Sequence, residues 1–308
     1  MNKAVLLFLI AAVGPAVLGS ACLAVALVSA THDVEMHRLD VNGVPRTYYL
    51  HVPAGLPSGA PLVIMLHGDA NDGRKILDDL GWGAQADLNH FVVAGPDGSR
   101  AEPGGKPDRR NRRGWNSGVP GEPPGIERSD DVGFIVAMID DIARIAGIDR
   151  RRVYVAGFSS GGHMANRLGQ EIPERLAAIS TSASRMAPLP GHPSLAIPVL
   201  FSAGDQDPIT PVEGSRTELP NGRFFVRPAQ RTLVDRWQQL DGCPAGHAIA
   251  AAASVKIEVS GPCRDGSEVR YVLMHGVGHK WPTKDPIDLT RASWDFFKRF
   301  SLPVSAKS

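Results

Sequence analysis

The sequence has almost no excess charge of either sign: 33 Lys and Arg stand against 32 Asp and Glu, a net charge of +1 over 308 residues. That balance gives no reason to expect a nucleic-acid or membrane-surface partner. Cysteine is scarce, with three in the chain and no C-x-x-C pair, and the ten histidines are scattered. Such a set offers no metal-ligand cluster, so neither a metal nor another cofactor is expected. No repeat or heptad array is present, which removes solenoids and coiled coils from the field.

What is present begins with an address. Met1-Asn2-Lys3 carries a positive charge and is followed by an almost unbroken apolar stretch from Ala4 to Val28. Val28-Ser29-Ala30 supplies the small residues of a signal-peptidase site, so residues 1–30 read as an export signal and residues 31–308 as the mature chain, a single domain. The stretch is also long enough to span a bilayer, and an uncleaved N-terminal anchor, attaching the protein to a membrane through residues 4–28, is the alternative. Cys22 lies inside it, but Gly19 three positions earlier does not suit a lipoprotein signal. That leaves Cys243 and Cys263 as an even pair in an oxidising, secreted or envelope setting, where they are expected to form one disulfide.

The chain is organised around Val153-Tyr154-Val155-Ala156-Gly157-Phe158-Ser159-Ser160-Gly161-Gly162-His163-Met164. It reads as strand, tight turn and helix, and Gly157 to Gly161 fits G-x-S-x-G, the nucleophile elbow that lifts one serine hydroxyl clear of a sheet edge. Glycines flank the serine because strand and helix backbones approach too closely there for a Cβ atom. Ser159 is the candidate nucleophile.

Around it, residues 37–41 and 47–52 flank Asn42-Gly43 as an edge hairpin. Residues 61–66, 91–94, 177–182, 197–204 and 269–274 are apolar runs expected as strands of a mainly parallel sheet. Helices are expected over 76–88, 132–148, 228–240 and 288–300, with Ser129-Asp130-Asp131 opening the second. Residues 99–128 show no period and carry Arg109-Arg110-Asn111-Arg112-Arg113, a long loop whose arginines read as solvated surface. Strand and helix alternate from residue 61 onward, which predicts an α/β fold with a mostly parallel central sheet, helices on both faces and an N-terminal antiparallel hairpin edge.

A serine hydroxyl needs a histidine to take its proton and a carboxylate to orient that histidine, here in the order Ser, Asp or Glu, His. Beyond the elbow stretch lie His192, His247, His275 and His279; His192 precedes the acid strand, and His275 ends a strand. His279, in the loop Gly276-Val277-Gly278-His279, has the reach required. Asp205 and Asp207 both end the 197–204 strand, where open α/β sheets build their sites. Asp207, held extended by Pro208, is preferred, and Asp205 reads as a turn-former. The oxyanion donors are expected to be the backbone N–H groups of Ser160 and of Asp69, the latter in His67-Gly68-Asp69. Trp115, Asn116 and Trp281 are read as pocket candidates in the loops above the elbow, the Trp115 indole being equally able to cap the core, and His67 as a structural hydrogen-bonding residue.

These motifs resemble those of the exported poly(3-hydroxybutyrate) depolymerase and feruloyl esterase group of α/β hydrolases, which includes the LpqC-like esterases. The resemblance rests on Arg46-Thr47-Tyr48-Tyr49-Leu50, Leu66-His67-Gly68, Trp115-Asn116, Asp130-Asp131-Val132-Gly133-Phe134, the elbow, Asp207-Pro208 and Gly276-x-Gly278-His279-x-Trp281-Pro282. It runs from about residue 36 to the end of the chain, and implies a serine carboxylic-ester hydrolase with an α/β-hydrolase fold and Ser159, Asp207 and His279 as its triad. The ester substrate implied is a polyester, an aromatic ester or a short acyl ester. Two other functions use the same residues differently: an envelope acyltransferase working through the same triad, and a non-catalytic binding protein on a hydrolase scaffold.

Overall fold

In the computed structural model the apolar runs of the sequence become the centre of a ten-stranded sheet. The structure describes residues 33–101, 112–122, 125–218, 224–249 and 251–304. The signal or anchor expected over residues 1–30, and Arg109, Arg110 and Asn111 of the arginine-rich loop, lie outside them. No helix among the described residues is long and apolar enough to cross a membrane.

The strands are β1 (Glu35–Val41), β2 (Val44–His51), β3 (Leu62–Leu66), β4 (Val92–Pro96), β5 (Val153–Phe158), β6 (Ala178–Ser182), β7 (Val199–Gly204), β8 (His247–Ile249), β9 (Val255–Ser260) and β10 (Val269–Met274). They lie in the order β1-β2-β4-β3-β5-β6-β7-β10-β9-β8. From β4 to β10 along that order all pairings are parallel; β1-β2 and β9-β8 extend the sheet with antiparallel strands at opposite edges.

Among the described residues six helices cover the sheet: α1 (Gly73–Asp79), α2 (Trp82–Asn89), α3 (Asp131–Ala146), α4 (Ser160–Glu171), α5 (Gln230–Asp241) and α6 (Leu289–Phe297). The period of two along a strand sorts the core into two layers. Leu62, Ile64 and Leu66 of β3 and Val153 and Val155 of β5 face the layer filled by Phe134, Met138 and Ile142 of α3, Met164 and Leu168 of α4 and Trp237 of α5. Val63, Met65, Tyr154 and Ala156 face the other, with Ile76 and Leu77 of α1, Trp82 of α2 and Trp294 and Phe297 of α6. Near-continuous hydrophobic strands are what a sheet covered on both faces requires.

Two expectations are corrected, and one pair of strands is added to those expected. The single helix expected over 76–88 is two helices, because Gly81 takes a left-handed conformation (φ 69°) and the chain turns there before Trp82 enters the core. The strand over 269–274 is found as β10, and two strands that were not expected, β9 and β8, pair beyond it; Val255-Lys256-Ile257-Glu258-Val259 alternates, as a strand packed on one side should. The stretch 99–128 is not wholly irregular: Ser99–Arg100 pairs with Arg113–Gly114, and Ile126–Arg128 forms a short 3-10 turn. The helix over Val132–Ile148 is found as α3, capped by the Asp130 carboxylate accepting from the Gly133 amide at 2.8 Å.

Cys243 and Cys263 are joined by a disulfide across a sequence separation of 20 residues, tying the chain just past α5 to the chain just past β9. Replacing both with serine is expected to lower stability by about 3 kcal/mol, the loop-entropy scale for a ring of this size. Denaturant midpoints of the wild type and the double variant, with and without reductant, measure it; reductant should shift the wild type alone.

Candidate active site

Strand register brings the loops of the site together. Leu66 pairs with Gly157, so the chain after β3 reaches the elbow after β5. Met274 pairs with Gly204, so the loop after β10 meets the loop after β7. All four loops leave the carboxyl ends of parallel strands, where an open α/β sheet places its crevice.

At the elbow Ser159 has φ 54° and ψ −121°, a conformation that L residues rarely adopt. Its amide donates to Ser182 O at 3.0 Å, and α4 starts at the next residue. A Cβ on Gly157 would stand 2.3 Å from Gly161 O, and one on Gly161 would stand 2.2 Å from Leu66 O. Strand, loop and helix meet there backbone to backbone, so both positions must be glycine.

Ser159 Oγ lies 3.0 Å from His279 Nε2, and His279 Nδ1 lies 2.7 Å from Asp207 Oδ2. The pattern assigns the tautomer in which Nδ1–H donates to the carboxylate and Nε2 accepts the serine proton. Asp207 is buried and further held by donation from the Ile209 and Thr210 amides to Oδ1, at 2.7 and 2.8 Å, and from the Thr210 hydroxyl to Oδ2 at 2.6 Å. Burial alone would raise its pKa; the bonds from His279 and Thr210 outweigh that and hold it at about 2. The Gln206 amide donates to Val277 O at 3.0 Å, locking the acid loop to the histidine loop. Asp205 instead pairs with His275 at 2.8 Å and accepts from the Gly276 amide.

The loop His67-Gly68-Asp69 packs against the serine: a Cβ on Gly68 would sit 3.3 Å from Ser159 Cβ. Among the described residues neither the Asp69 amide nor the Ser160 amide has a hydrogen-bond acceptor. Trp115 fixes this loop, its indole N–H donating to His67 O at 2.9 Å. His67 is structural: Nδ1 lies 2.7 Å from Gly68 O and Nε2 accepts from the Gly98 amide at 2.9 Å. Its burial lowers the pKa to about 4, against the Gly68 bond that favours the charged form.

A cleft of about 340 Å³ opens at the serine, lined by Ser159, Ser160, Asp69, Trp115, Val119, Ile126 and other residues described below. A larger groove, about 720 Å³, runs along β2 past Asp97 and Arg113 and holds none of Ser159, Asp207 and His279. Two of the expected pocket residues are corrected. Trp281 is 5% exposed and belongs to the core layer with Trp82, its indole N–H donating to Thr290 Oγ1 at 3.0 Å. Asn116 braces the start of α3, donating from its amide to Asp131 Oδ2 at 2.7 Å and from its side chain to Ser129 O at 2.8 Å. Trp115, 1% exposed and part of the core cluster, both caps the core and lines the cleft.

The sequence reading missed His163, Glu122, Arg185 and Thr210, all of which line the cleft. Two of them carried a signal. His163 stands one helical turn beyond Ser159, and Arg185 follows the carboxyl end of a core strand. Burial, with the nearby charges of Arg185 and His279, lowers the His163 pKa to about 3.

The chain is similar to several known proteins. A family model described as phospholipase/carboxylesterase matches residues 51–219, more than half of the chain and inclusive of Ser159 and Asp207. NocK of Nocardia uniformis subsp. tsuyamanensis, named as an esterase, is 29% identical over 79% of this chain and 72% of its own length. Feruloyl esterase B of Piromyces equi is 28% identical over 84% of this chain, which spans only 46% of that protein. Among solved structures, an acetyl xylan esterase from Aspergillus awamori superposes with a TM-score of 0.60 at 17% identity, covering 86% of this chain and 99% of its own. That likeness carries the fold: an α/β-hydrolase sheet, as the sequence predicted.

Two outcomes follow from the geometry. Trp281→Phe should cost about 1–2 kcal/mol through the lost indole hydrogen bond, with KM for a short-chain ester unchanged; melting curves and kinetics on the same sample measure both. Acid should destabilise the fold early. His67 and His163 stay neutral in the fold down to about 4 and about 3, whereas an unfolded histidine protonates near pH ~6.5. The unfolded chain therefore binds more protons in that interval, and stability falls as pH drops from about 6.5 towards 4. Asp207 contributes only below about pH 4, where its carboxylate protonates first in the unfolded chain. Urea midpoints across this range, with a shallower slope in His163→Gln, test the assignment.

Proposed function

The chain belongs to the phospholipase/carboxylesterase family of α/β hydrolases and is an ester-hydrolysing enzyme, and from that premise we propose that it works through an acyl-enzyme formed on Ser159. Ser159 Oγ attacks the ester carbonyl while His279 Nε2 takes its proton; Asp207 holds the imidazole in the receiving tautomer and stabilises the imidazolium. The amides of Ser160 and Asp69 bind the oxyanion of the tetrahedral intermediate, a contribution worth about 10²–10³ in rate per donor. His279 then protonates the departing alcohol, and water, activated by the same imidazole, releases the acid.

The observation that carries this reading is the continuous chain from Ser159 Oγ through His279 to Asp207, at 3.0 and 2.7 Å, ending in a carboxylate held at about pKa 2. A buried carboxylate that stays ionised is what a developing imidazolium needs beside it. Relatives named feruloyl esterase and poly(3-hydroxyalkanoate) depolymerase support an aromatic or hydroxyacyl ester as substrate. We further read residues 1–30 as the export signal or anchor and residues 31–308 as the catalytic domain of a secreted or envelope-held enzyme.

Ser159→Ala should abolish turnover of a p-nitrophenyl short-chain ester and labelling by a fluorophosphonate probe; an undiminished rate would remove the serine from the mechanism. Asp207→Asn should lower kcat by about 10⁴, the effect of holding the imidazole in the wrong tautomer. Asp205→Asn should change it only a few-fold. The reverse ranking would transfer the acid role to Asp205.

A further inference from the structure

Beside the serine, the cleft has a wall whose polar groups the ester chemistry above leaves unused. His163 is 9% exposed and lines the cleft, and its Nε2 is buried without a hydrogen-bond partner among the described residues. A buried ring nitrogen left unpaired costs free energy that a bound ligand recovers. Its neighbour in that wall, Arg185, follows β6 and is half-buried. Among the described residues no carboxylate comes within 4.0 Å of its guanidinium. Burial and the charge of Arg227 lower its pKa, and Asp69 and Glu122 offset them only in part. Glu122 is already engaged, its Oε1 accepting from the Ser117 amide at 2.6 Å and from the Ser117 hydroxyl.

The fold holds this arginine in place from behind. Asn166, fully buried on α4, donates from Nδ2 to Arg185 O at 3.1 Å and to Ser184 Oγ at 3.2 Å, and its Oδ1 accepts from the Trp237 indole N–H at 3.0 Å. The arginine's backbone is thereby tied to the same helix that begins at the nucleophile. A partly desolvated guanidinium beside an unpaired imidazole nitrogen is a pair of donors waiting for an acceptor-rich group.

We propose that Arg185 and His163 form a carboxylate-binding subsite, and that the enzyme acts on esters carrying a carboxylate a short chain away from the scissile carbonyl. This rests on Ser159 as the nucleophile. Arg185 donates to the carboxylate as a charge-assisted pair, and His163, in its Nε2–H tautomer, donates the second bond. A monoanion fits better than a phosphate dianion, because Asp69 and Glu122 line the same cleft as Arg185 and Arg227 and balance their formal charge, leaving no excess for a second negative charge. Arg185 and His163 are specificity residues here, outside the bond-breaking steps.

The test is a matched set of esters in two arms. In one the acyl chain ends in a carboxylate or in the isosteric methyl ester; in the other the alcohol part does. The measured quantity is the ratio of kcat/KM for the charged over the neutral ester of each pair. In the wild type the ratio should exceed one in one arm, which identifies the side of the ester that the subsite reads. It should fall about ten- to a hundred-fold in Arg185→Gln, the scale of one charge-assisted hydrogen bond, and recover in part in Arg185→Lys. It should also vanish as pH drops through about 4 to 5, where the substrate carboxyl protonates, a dependence that a merely structural arginine would not produce. A ratio of one or less in both arms, or a ratio that Arg185→Gln leaves intact, overturns the subsite while the esterase reading stands. Failure of the folded wild type to hydrolyse any ester of either arm overturns both.

Discussion

The site depends on one backbone contact, the meeting of β5, α4 and the loop after β3 at Gly157 and Gly161. Ser159 between those glycines holds a conformation that costs on the order of 1–3 kcal/mol for an L residue, and it survives only where the surroundings over-determine it. Here they do. Its amide is tied to Ser182 O, the strand before it is buried on both faces, and α4 behind it is packed into the core through Met164, Ala165 and Leu168. The two core layers thus hold the serine hydroxyl clear of the sheet, and its orientation follows from packing far below it.

Given that fixed point, the remaining groups are placed by strand order and register. The sheet puts β3 on one side of β5 and β6, β7 and β10 on the other, so the proposed oxyanion loop reaches the serine from one flank and the acid and histidine loops from the opposite one. Each arriving loop is then immobilised by its own bonds: Trp115 and His67 hold the Gly68 loop, Thr210 and Ile209 hold Asp207, and the Gln206–Val277 bond joins acid to histidine. Preorganisation of this kind matters because donors already in place need no reorganisation when charge develops. The same logic extends to Arg185, whose segment is anchored through Asn166 to the helix carrying the elbow.

Much of this was legible in the chain because it is local. The elbow, the edge hairpin around Asn42-Gly43, the apolar runs and the order Ser159, Asp207, His279 are short-range patterns with direct mechanical causes. What escaped depends on packing between distant segments. Trp281 lies two residues past His279 and reads as a pocket residue, but its ring turns inward against Trp82, and only the position of α2 settles that direction. Asn116 follows the cleft-lining Trp115, yet faces the start of α3. Gly81 breaks a helix whose apolar period continues across it. His163 looks like one more helical residue until it is found lining the cleft with its buried Nε2 unpaired among the described residues, and Arg185 was hidden because a lone arginine after a strand is usually solvated.

The two Asp–His pairs of neighbouring loops show how environment, and not geometry alone, separates a support from a surface contact. Asp205–His275 and Asp207–His279 have nearly the same length, 2.8 and 2.7 Å, and nearly the same spacing in sequence. Their side chains differ in burial: 34% and 35% exposed for the first pair, 1% and 14% for the second. An exposed pair is screened by water and contributes at most about 1 kcal/mol. In the buried pair the carboxylate accepts from Thr210 and Ile209 as well as from the imidazole, and the imidazole's other nitrogen faces a serine. The outer pair tightens the loop; the inner one is the pair the proposed mechanism uses, because of the two imidazoles it is His279 that reaches Ser159 Oγ.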